Sequence, residues 1–276
     1  MIAAGILTTK ILKVRWVDVL NDYAFNIAVP ALLIISFWRY ELRGAEVDFI
    51  PLTYLSLLFC SLLSYGVFKF LKVRDITILV MSSVLGNVAY LGIPLVELTF
   101  GKEYLSLVGL LSVTHFSILP IFTTIMEGKL SYKTLKSPLI IATVIGLSLS
   151  LVDIPINNFI FKSLDLIASS ASPVALFSIG MWIGSKGFNL GKRETYFVII
   201  FKLIILPIIF NLFYLSGLFS MDDDIYKVSL LEASTPLAIA NFIIAKKFNK
   251  HVDTVSSAIV ISTLISPITL SIFLSL

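Results

Sequence analysis

Apolar runs of about 17–25 residues recur along the whole chain, and each is long enough to cross the hydrocarbon core of a bilayer as a helix. Charged residues make up 14% of the chain, whereas soluble domains carry roughly 25%. A membrane β-barrel would show shorter segments of alternating hydrophobicity instead. The sequence therefore predicts an all-α polytopic membrane protein. Its net charge of +4 does not indicate a nucleic-acid partner, because the basic residues lie in short loops between the apolar runs.

The hydrophobic pattern divides the chain into nine apolar spans and one further, very short apolar piece. Counting that piece gives about ten transmembrane helices. The short piece, residues 1–12, is counted as span one. Spans two to ten are residues 17–38, 49–71, 76–100, 104–126, 138–152, 156–184, 196–217, 225–245 and 252–274.

The lysine and arginine residues are distributed unevenly between the predicted loops. Fifteen of the 21 lie in the loops after the odd-numbered spans, three in each; five lie on the opposite side, and Lys202 lies inside a span. Short cytoplasmic loops of membrane proteins carry an excess of basic residues. We therefore expect the odd-numbered loops to be cytoplasmic and both termini to lie outside.

Three pairs of prolines recur in the same order at nearly constant spacing. The pairs are Pro30 with Pro173, Pro94 with Pro236, and Pro120 with Pro267, separated by 143, 142 and 147 residues. This pattern predicts two five-helix repeats, residues 1–126 and 138–276, joined by a cytoplasmic linker at residues 127–137. Because five is odd, the second repeat enters the membrane inverted relative to the first. Inverted repeats are typical of secondary transporters.

Helix-breaking residues lie in the middle of the predicted fourth and ninth spans, in "GNVAYLGIPL" (86–95) and "EASTP" (232–236). Irregular backbone within a bilayer is tolerated only where protein or a water-filled cavity surrounds it. Interrupted helices at matching positions of two repeats indicate a substrate site. The alternative is an ordinary proline kink, which is the interpretation we favour for Pro30, Pro120 and Pro207.

Several sequence motifs, spread over essentially the whole chain, occur in the same order as in a known family. They are "LNDYAFNIAVPALL", "GNVAYLGIPL" followed by "FG" at 100–101, "SPVALFSIG", "FKLIILP" and "ANFIIAKKFNKHVDTVSSAIVISTLISPITL". Together they resemble the auxin efflux carrier family of plant PIN-type carriers and microbial organic-acid carriers. The resemblance implies two inverted five-helix repeats whose broken fourth and ninth helices cross at Pro94 and Pro236. It also implies a mobile unit of spans three to five and eight to ten, and a scaffold of the other spans that forms a homodimer contact.

The resemblance and the chemistry of broken helices together suggest a substrate site. Asn87 matches a family asparagine, and His115 falls where plant members place a pocket-lining glutamine. The half-helix N-termini, expected to meet at residues 93–95 and 237–238, carry partial positive charge that favours a carboxylate. An asparagine there can bind a ligand or only satisfy the broken backbone, and His115 can bind an anion or only bridge helices. The substrate-binding candidates are Asn87, Pro94, His115, Pro236 and Asn241.

Ionisable residues also lie in the predicted spans near this site. Glu232 precedes Pro236 by about one helical turn, and Lys202 matches a lysine common in the family's eighth span. Glu232 and Glu97 can each carry a coupling proton, pair with a lysine or only reach the membrane interface. Lys202 can be a counter-ion for Glu232 or can extend its stem toward the interface. The sequence contains none of the common catalytic or metal-ligand motifs, so we expect no catalytic residues, no metal and no cofactor.

The leading hypothesis is a secondary carrier for small organic anions, such as malate, malonate or indole acids. Its expected partners are the anion, membrane lipid and a coupling ion, either a proton or sodium. The alternative is a sodium-coupled bile-acid-type symporter of similar fold, which would need several carboxylates and amides around the crossing. The missing catalytic motifs predict that the chain is not an enzyme. The short central linker, where plant members often have a long loop, favours a prokaryotic cell membrane.

Overall fold

The computed structural model describes residues 1–9, 11, 15–39, 47–128, 136, 138–152, 158–186 and 191–275. Regular structure in these residues is helical, apart from one isolated antiparallel bridge between Gly86 and Leu237. The α-helices are α1 (Ile2–Thr8), α2 (Arg15–Tyr23), α3 (Val29–Arg39), α4 (Phe49–Phe70), α5 (Ile76–Val84), α6 (Ile93–Thr99), α7 (Leu105–Ser117), α8 (Leu119–Glu127), α9 (Pro138–Leu151), α10 (Asn158–Ala168), α11 (Ala171–Lys186), α12 (Arg193–Ile200), α13 (Leu206–Leu215), α14 (Asp223–Ala233), α15 (Ile239–Phe248) and α16 (Val252–Leu274). Short π-helical turns lie at Ala24–Ala28, Val88–Gly92 and Phe201–Ile205.

Six helical stretches among the described residues are long and apolar enough to cross a membrane. They are Trp16–Trp38, Phe49–Phe70, Lys102–Glu127, Phe159–Ser185, Arg193–Leu215 and Val252–Leu274. The predicted spans at 76–100, 138–152 and 225–245 contain shorter helices instead. Helix α1 rises only about 10 Å, whereas the hydrocarbon core is roughly 30 Å thick. The all-helical class is therefore confirmed, and the predicted number of ten spans is not.

The chain divides into two compact units. The first comprises residues 1–45, 89–113 and 135–187, and the second comprises residues 46–88, 114–134 and 188–276. Predicted spans one, two, six and seven thus fall in the first unit. Spans three, eight, nine and ten fall in the second, and spans four and five are divided between them.

Glycine allows two close helix contacts in the first unit, where α1 packs on α11 and α3 packs on α9. A Cβ on Gly5 of α1 would meet the carbonyl oxygen of Phe177 on α11. A Cβ on Gly146 of α9 would lie 2.8 Å from the Cβ of Phe37 on α3. Each glycine therefore lets one helix approach the other more closely than a side chain would permit.

In the second unit, the loops that follow α4 and α15 are joined to each other. Lys250 Nζ lies 2.6 Å from the Asp75 carboxylate, and His251 Nε2 lies 2.8 Å from the carbonyl oxygen of Arg74. The hydrogen bond from Lys250 lowers the pKa of Asp75 below its usual value. His251 lies in the short loop between α15 and α16.

Both predicted helix interruptions are present in the second unit. Helix α5 ends at Val84, and residues 85–87 are non-helical before the π-helical turn that leads to α6. Helix α14 ends at Ala233, and residues 234–238 are non-helical before α15. Glycine and asparagine in the first segment, and proline in the second, are poor helix formers, which accounts for where the helices stop.

Candidate functional site at the crossing of two interrupted helices

The two non-helical segments form hydrogen bonds with each other. The Asn87 N–H donates to the Pro236 carbonyl oxygen at 2.7 Å, and the Ala238 N–H donates to the Leu85 carbonyl oxygen at 3.1 Å. Helix ends leave backbone groups without intrahelical partners, and such groups are costly where water is absent. Each broken helix therefore supplies the partners that the other lacks.

On the first interrupted helix, the residues that pair with the second helix precede, in the sequence, the residues where we expected the crossing. We expected residues 93–95 to meet residues 237–238, but the pairing uses residues 85–87. Pro94 lies in the first turn of α6, where proline is favoured because its missing N–H would have no helical partner. Pro236 takes part in this backbone pairing, and the prediction that Pro94 marks the crossing stays a prediction.

Two buried asparagines have hydrogen-bonding atoms that are not used at the crossing. Asn241 is fully buried and donates from Nδ2 to the Leu85 carbonyl oxygen at 3.0 Å, while its Oδ1 has no partner among the described residues. Asn87 is 3% exposed, and its Nδ2 also has no partner in that part of the chain. Buried polar atoms are nearly always hydrogen-bonded. The crossing therefore offers one unused donor and one unused acceptor to a ligand.

A buried lysine caps the first half of the second broken helix. Lys202 is fully buried and lies in the π-helical turn between α12 and α13. Its Nζ donates to the carbonyl oxygen of Ala233, the last residue of α14, at 2.6 Å. The preceding Glu232 carbonyl accepts from Thr235 Oγ1 at 2.7 Å. Because a helix C-terminus carries partial negative charge, the ammonium stabilises this end of α14 by charge as well as by hydrogen bonding.

The Glu232 carboxylate does not form a direct ion pair with Lys202 in this structure. The ammonium bonds to the backbone of Ala233, and both carboxylate oxygens are buried without a hydrogen-bond partner among the described residues. Glu232 therefore has a buried carboxyl group whose oxygens no described residue engages.

Gly86 has no room for a side chain, because two other side chains lie close to it. One is Thr235 of the second non-helical segment, and the other is Lys202 of the turn between α12 and α13. A Cβ on Gly86 would lie 2.5 Å from Thr235 Oγ1 and 2.9 Å from Lys202 Cε. The Ser262 hydroxyl of α16 accepts a 3.3 Å hydrogen bond from the Leu237 N–H and so supports the second segment. Thr235 and Ser262 were not among the predicted site residues, because nothing in a single sequence distinguishes them from the many other hydroxyl residues of the apolar spans.

The remaining candidates are His115 and Glu97. His115 is 1% exposed on α7, in a part of the helix that belongs to the second unit. Glu97 lies on α6 in the first unit, accepts a 2.6 Å hydrogen bond from Ser172 and lies 3.9 Å from Lys102 Nζ. Glu97 thus interacts with a lysine, which is one of the roles expected for it.

The chemistry that the crossing offers is binding through hydrogen bonds and charge. It combines the unused donor of Asn87, the unused acceptor of Asn241, the Lys202 ammonium and the Glu232 carboxyl group. In the described ranges, no group of three or more His, Cys, Asp or Glu side chains is placed to hold a metal ion.

Comparison with known families identifies the class of protein. The profile of a family described as membrane transport protein matches residues 4–129 and 121–274. The chain belongs to this family. The matched residues include both interrupted helices.

Individual relatives of this membrane transport protein are named as transporters. It is 26% identical to an uncharacterized transporter of Methanocaldococcus jannaschii over 280 residues, which cover 95% of this chain and 90% of the relative. It is 23% identical to a Rhizobium meliloti protein named "Putative malonate transporter", over 91% of this chain and 84% of that protein. It is 26% identical to auxin efflux carrier component 1 of Arabidopsis thaliana over 52% of this chain and 24% of the plant protein.

These similarities confirm the resemblance to the auxin efflux carriers and establish the general class of activity. The protein is an integral membrane transporter with six apolar candidate spans among its described residues. It transports a small molecule and is surrounded by membrane lipid. Its role is not enzymatic.

Proposed function

We propose that this protein is a secondary transporter of small organic anions, with carboxylates such as malonate, malate or auxin-like acids as substrates. The observation that carries the proposal is the crossing itself, where the two broken segments bind each other's backbone and where the buried Asn87 Nδ2 has no hydrogen-bond partner among the described residues. The names of the Rhizobium meliloti and Arabidopsis thaliana relatives point to the same class of substrate.

The crossing has the charge that a carboxylate requires. Helix α15 begins at Ile239, and the first N–H groups of a helix have no intrahelical partner and carry about half an elementary positive charge together. Asn87 Nδ2 can add a hydrogen bond, and Lys202, when protonated, can add a positive charge. A carboxylate bound there would exchange its hydration for these groups.

Proton coupling through Glu232 is the mode of energisation that we favour. Glu232 is fully buried, and its carboxylate oxygens have no hydrogen-bond partner in the described residues. The alternative, a sodium-coupled bile-acid-type symporter, draws no support from the three relatives described above, whose names are those of other transporters. In Glu232→Gln, gradient-driven uptake should be lost while exchange of substrate continues. Loss of both activities together with stability would instead indicate that Glu232 only balances the charge of Lys202.

For the architecture, we propose two inverted repeats, residues 1–126 and 138–276, that transport by alternating access in the elevator manner implied by the family resemblance. The support is the order of helices, since an interrupted helix, α5 with α6 or α14 with α15, occurs once in each half. We also propose the homodimer implied by the resemblance. After a rotation of about half a turn about an axis in the membrane plane, the two halves should superpose. Pro30 should then overlay Pro173, and Pro120 should overlay Pro267. Halves that do not superpose would remove the repeat.

The orientation that we propose places the odd-numbered loops in the cytoplasm of a prokaryotic cell and both termini outside, as the distribution of basic residues predicts. Cys60 is fully buried, so the parent protein should show little background labelling. A cysteine at exposed Arg74 should react with an impermeant thiol reagent only from the cytoplasmic side, and one at exposed Ser220 only from outside. The reverse pattern would invert the proposed orientation.

Uptake by proteoliposomes tests the proposed function. Vesicles that contain the protein should accumulate radiolabelled malonate, malate or indole-acetate above the level of empty vesicles. A proton gradient should increase the accumulation, and a sodium gradient should not. Equal accumulation in empty and loaded vesicles for all three acids would contradict the proposed substrate class.

A further inference from the structure

We propose that a small cavity in the first compact unit binds the primary ammonium of a phosphatidylethanolamine headgroup from the surrounding membrane. The cavity measures about 20 Å³, which is enough for one water-sized group, since a single water needs about 10–15 Å³. Its polar lining consists of Ser36 on α3, Glu97 on α6, Lys102 in the turn after α6, Asp165 on α10 and Ser169 directly after α10. The remaining walls are apolar, and all of these residues belong to the first unit.

The charges that line the cavity do not balance. Glu97 and Asp165 supply two carboxylates, whereas Lys102 supplies one ammonium. Lys102 Nζ lies 3.9 Å from Glu97 Oε1, which is beyond hydrogen-bonding distance, and the Lys102 side chain is 54% exposed. Asp165 accepts hydrogen bonds from Ser169 through its backbone carbonyl, but its carboxylate has no partner among the described residues. The lining therefore has room, in charge as well as in volume, for one further cation.

The lining offers hydrogen-bond acceptors at three positions. Glu97 Oε2 accepts from Ser172 Oγ at 2.6 Å, which leaves Oε1 available. Ser36 is 2% exposed, and its hydroxyl donates to the Leu32 carbonyl at 2.7 Å, so its oxygen can still accept. The Asp165 carboxylate is the third acceptor. A primary ammonium has three donor hydrogens, so the number of acceptors matches it.

The cavity lies where the headgroups of a bilayer are expected. Ser36 is two residues from the end of the candidate span Trp16–Trp38, and Lys102 is the first residue of the candidate span Lys102–Glu127. The ends of membrane-spanning helices lie in the polar headgroup layers that flank the hydrocarbon core. A group that enters this cavity therefore approaches from the headgroup layer.

Exposed apolar residues next to both acids indicate that the group belongs to a lipid. Leu98 follows Glu97 and is 75% exposed, and Leu166 follows Asp165 and is 78% exposed. In a membrane protein, such residues can contact acyl chains. The exposed Lys102 ammonium can bind the phosphate, which two carbon atoms separate from the ammonium of phosphatidylethanolamine. One lipid molecule can thus satisfy the acids, the lysine and the apolar residues together.

A purely structural role for the two acids predicts something different. Acids that only pair with Lys102 and Ser172 would stabilise the protein equally in every lipid. Phosphatidylcholine carries the same phosphate, but three methyl groups replace the ammonium hydrogens, which removes the donors and makes the group too large for the cavity. Phosphatidylglycerol has no ammonium. These lipids therefore distinguish a site for a primary ammonium from a structural cluster and from a site for any phosphate.

The test measures the thermal unfolding midpoint of the purified protein in detergent, alone and with each of the three lipids bearing the same acyl chains. Phosphatidylethanolamine should raise the midpoint by about 3–6 °C when it exceeds its dissociation constant about tenfold, and the other two lipids should raise it less. Asp165→Asn should remove the advantage of phosphatidylethanolamine. This variant should fold, because the Asp165 carboxylate bonds to no described residue. The matched control is Asp18→Asn, which changes an exposed acid on α2 of the same unit and should respond like the parent.

Equal shifts with phosphatidylethanolamine and phosphatidylcholine would overturn the proposal, as would an unchanged phosphatidylethanolamine shift in Asp165→Asn. Free ethanolamine at the same concentration should have little effect, because it lacks the phosphate and the acyl chains. A full shift with free ethanolamine would assign the cavity to a soluble amine and refute the lipid site. The midpoints require no transport, so this result stands apart from the uptake assay.

Discussion

Replacing Gly86 by alanine tests how closely the two broken segments approach each other. The added Cβ would lie 2.5 Å from Thr235 Oγ1, 2.9 Å from Lys202 Cε and 3.1 Å from Lys202 Nζ. Neither neighbour can move easily. Thr235 is fully buried and its hydroxyl bonds to the Glu232 carbonyl, while Lys202 is fully buried and held by the Ala233 carbonyl.

Excess volume in a well-packed interior typically costs about 1–3 kcal/mol. Because both neighbours of Gly86 are held by hydrogen bonds, we expect Gly86→Ala to lower the free energy of unfolding by about 2–3 kcal/mol. At roughly 2–4 °C per kcal/mol, the thermal midpoint in detergent should fall by about 4–12 °C. Uptake should fall as well, because the displaced ammonium lies at the proposed substrate site.

The matched control is Gly66→Ala, in α4 of the same compact unit. A Cβ on Gly66 would meet nothing within 4 Å, and alanine is favoured over glycine in a helix by up to about 1 kcal/mol. The midpoint of Gly66→Ala should therefore equal or exceed that of the parent. If Gly86→Ala is as stable as the parent, or if both variants lose the same stability, the close approach at Gly86 is not what the structure indicates.

Three further predictions concern other parts of the second unit. Asn241→Ala removes a 3.0 Å hydrogen bond to the Leu85 carbonyl and should lower the thermal midpoint by about 2–4 °C, or roughly 1 kcal/mol; an unchanged midpoint would show that this bond contributes nothing. Because the hydrogen bond from Lys250 lowers the pKa of Asp75, the ion pair should stabilise the protein above the ordinary carboxyl pKa, and this contribution should disappear as the pH falls through the lowered value. The midpoint difference between the parent and Asp75→Asn should therefore vanish well below pH ~4, and a difference that persists there would contradict the argument. For His115, substitution by glutamine should preserve uptake and substitution by leucine should reduce it; equal uptake by both variants would remove His115 from the pocket.

The sequence was sufficient to predict the class of fold and the existence of both helix interruptions. Long apolar runs leave few alternatives to membrane helices, and glycine, asparagine and proline inside such runs are costly without a compensating contact. The family resemblance rests on the same segments, and the family profile confirms it. These features are local or repeated along the chain, which is why they are visible without coordinates.

The details of the crossing could not be predicted in this way. The family resemblance places Pro94 at the crossing, whereas the described backbone pairing uses residues 85–87 and Pro94 lies in the first turn of α6, where proline is favoured. An ion pair with Glu232 was one of the roles that the sequence left open for Lys202. The ammonium instead bonds to the Ala233 carbonyl, since a helix C-terminus buried without water needs a donor. Both outcomes depend on which backbone groups lack partners after the helices have packed.

The central claim is that the crossing of the two broken helices binds an organic anion, and calorimetric titration of the purified protein with malonate tests it most directly. Asn87→Ala removes the unused donor at the crossing, and loss of a hydrogen bond to a charged group costs about 1.5–3 kcal/mol. The account predicts that Asn87→Ala binds malonate roughly ten- to a hundred-fold more weakly than the parent. Asn26→Ala, which changes an exposed asparagine bonded to the Asp22 carbonyl, should bind like the parent. Equal affinity of Asn87→Ala and the parent would contradict the account and leave the crossing without a role in substrate binding.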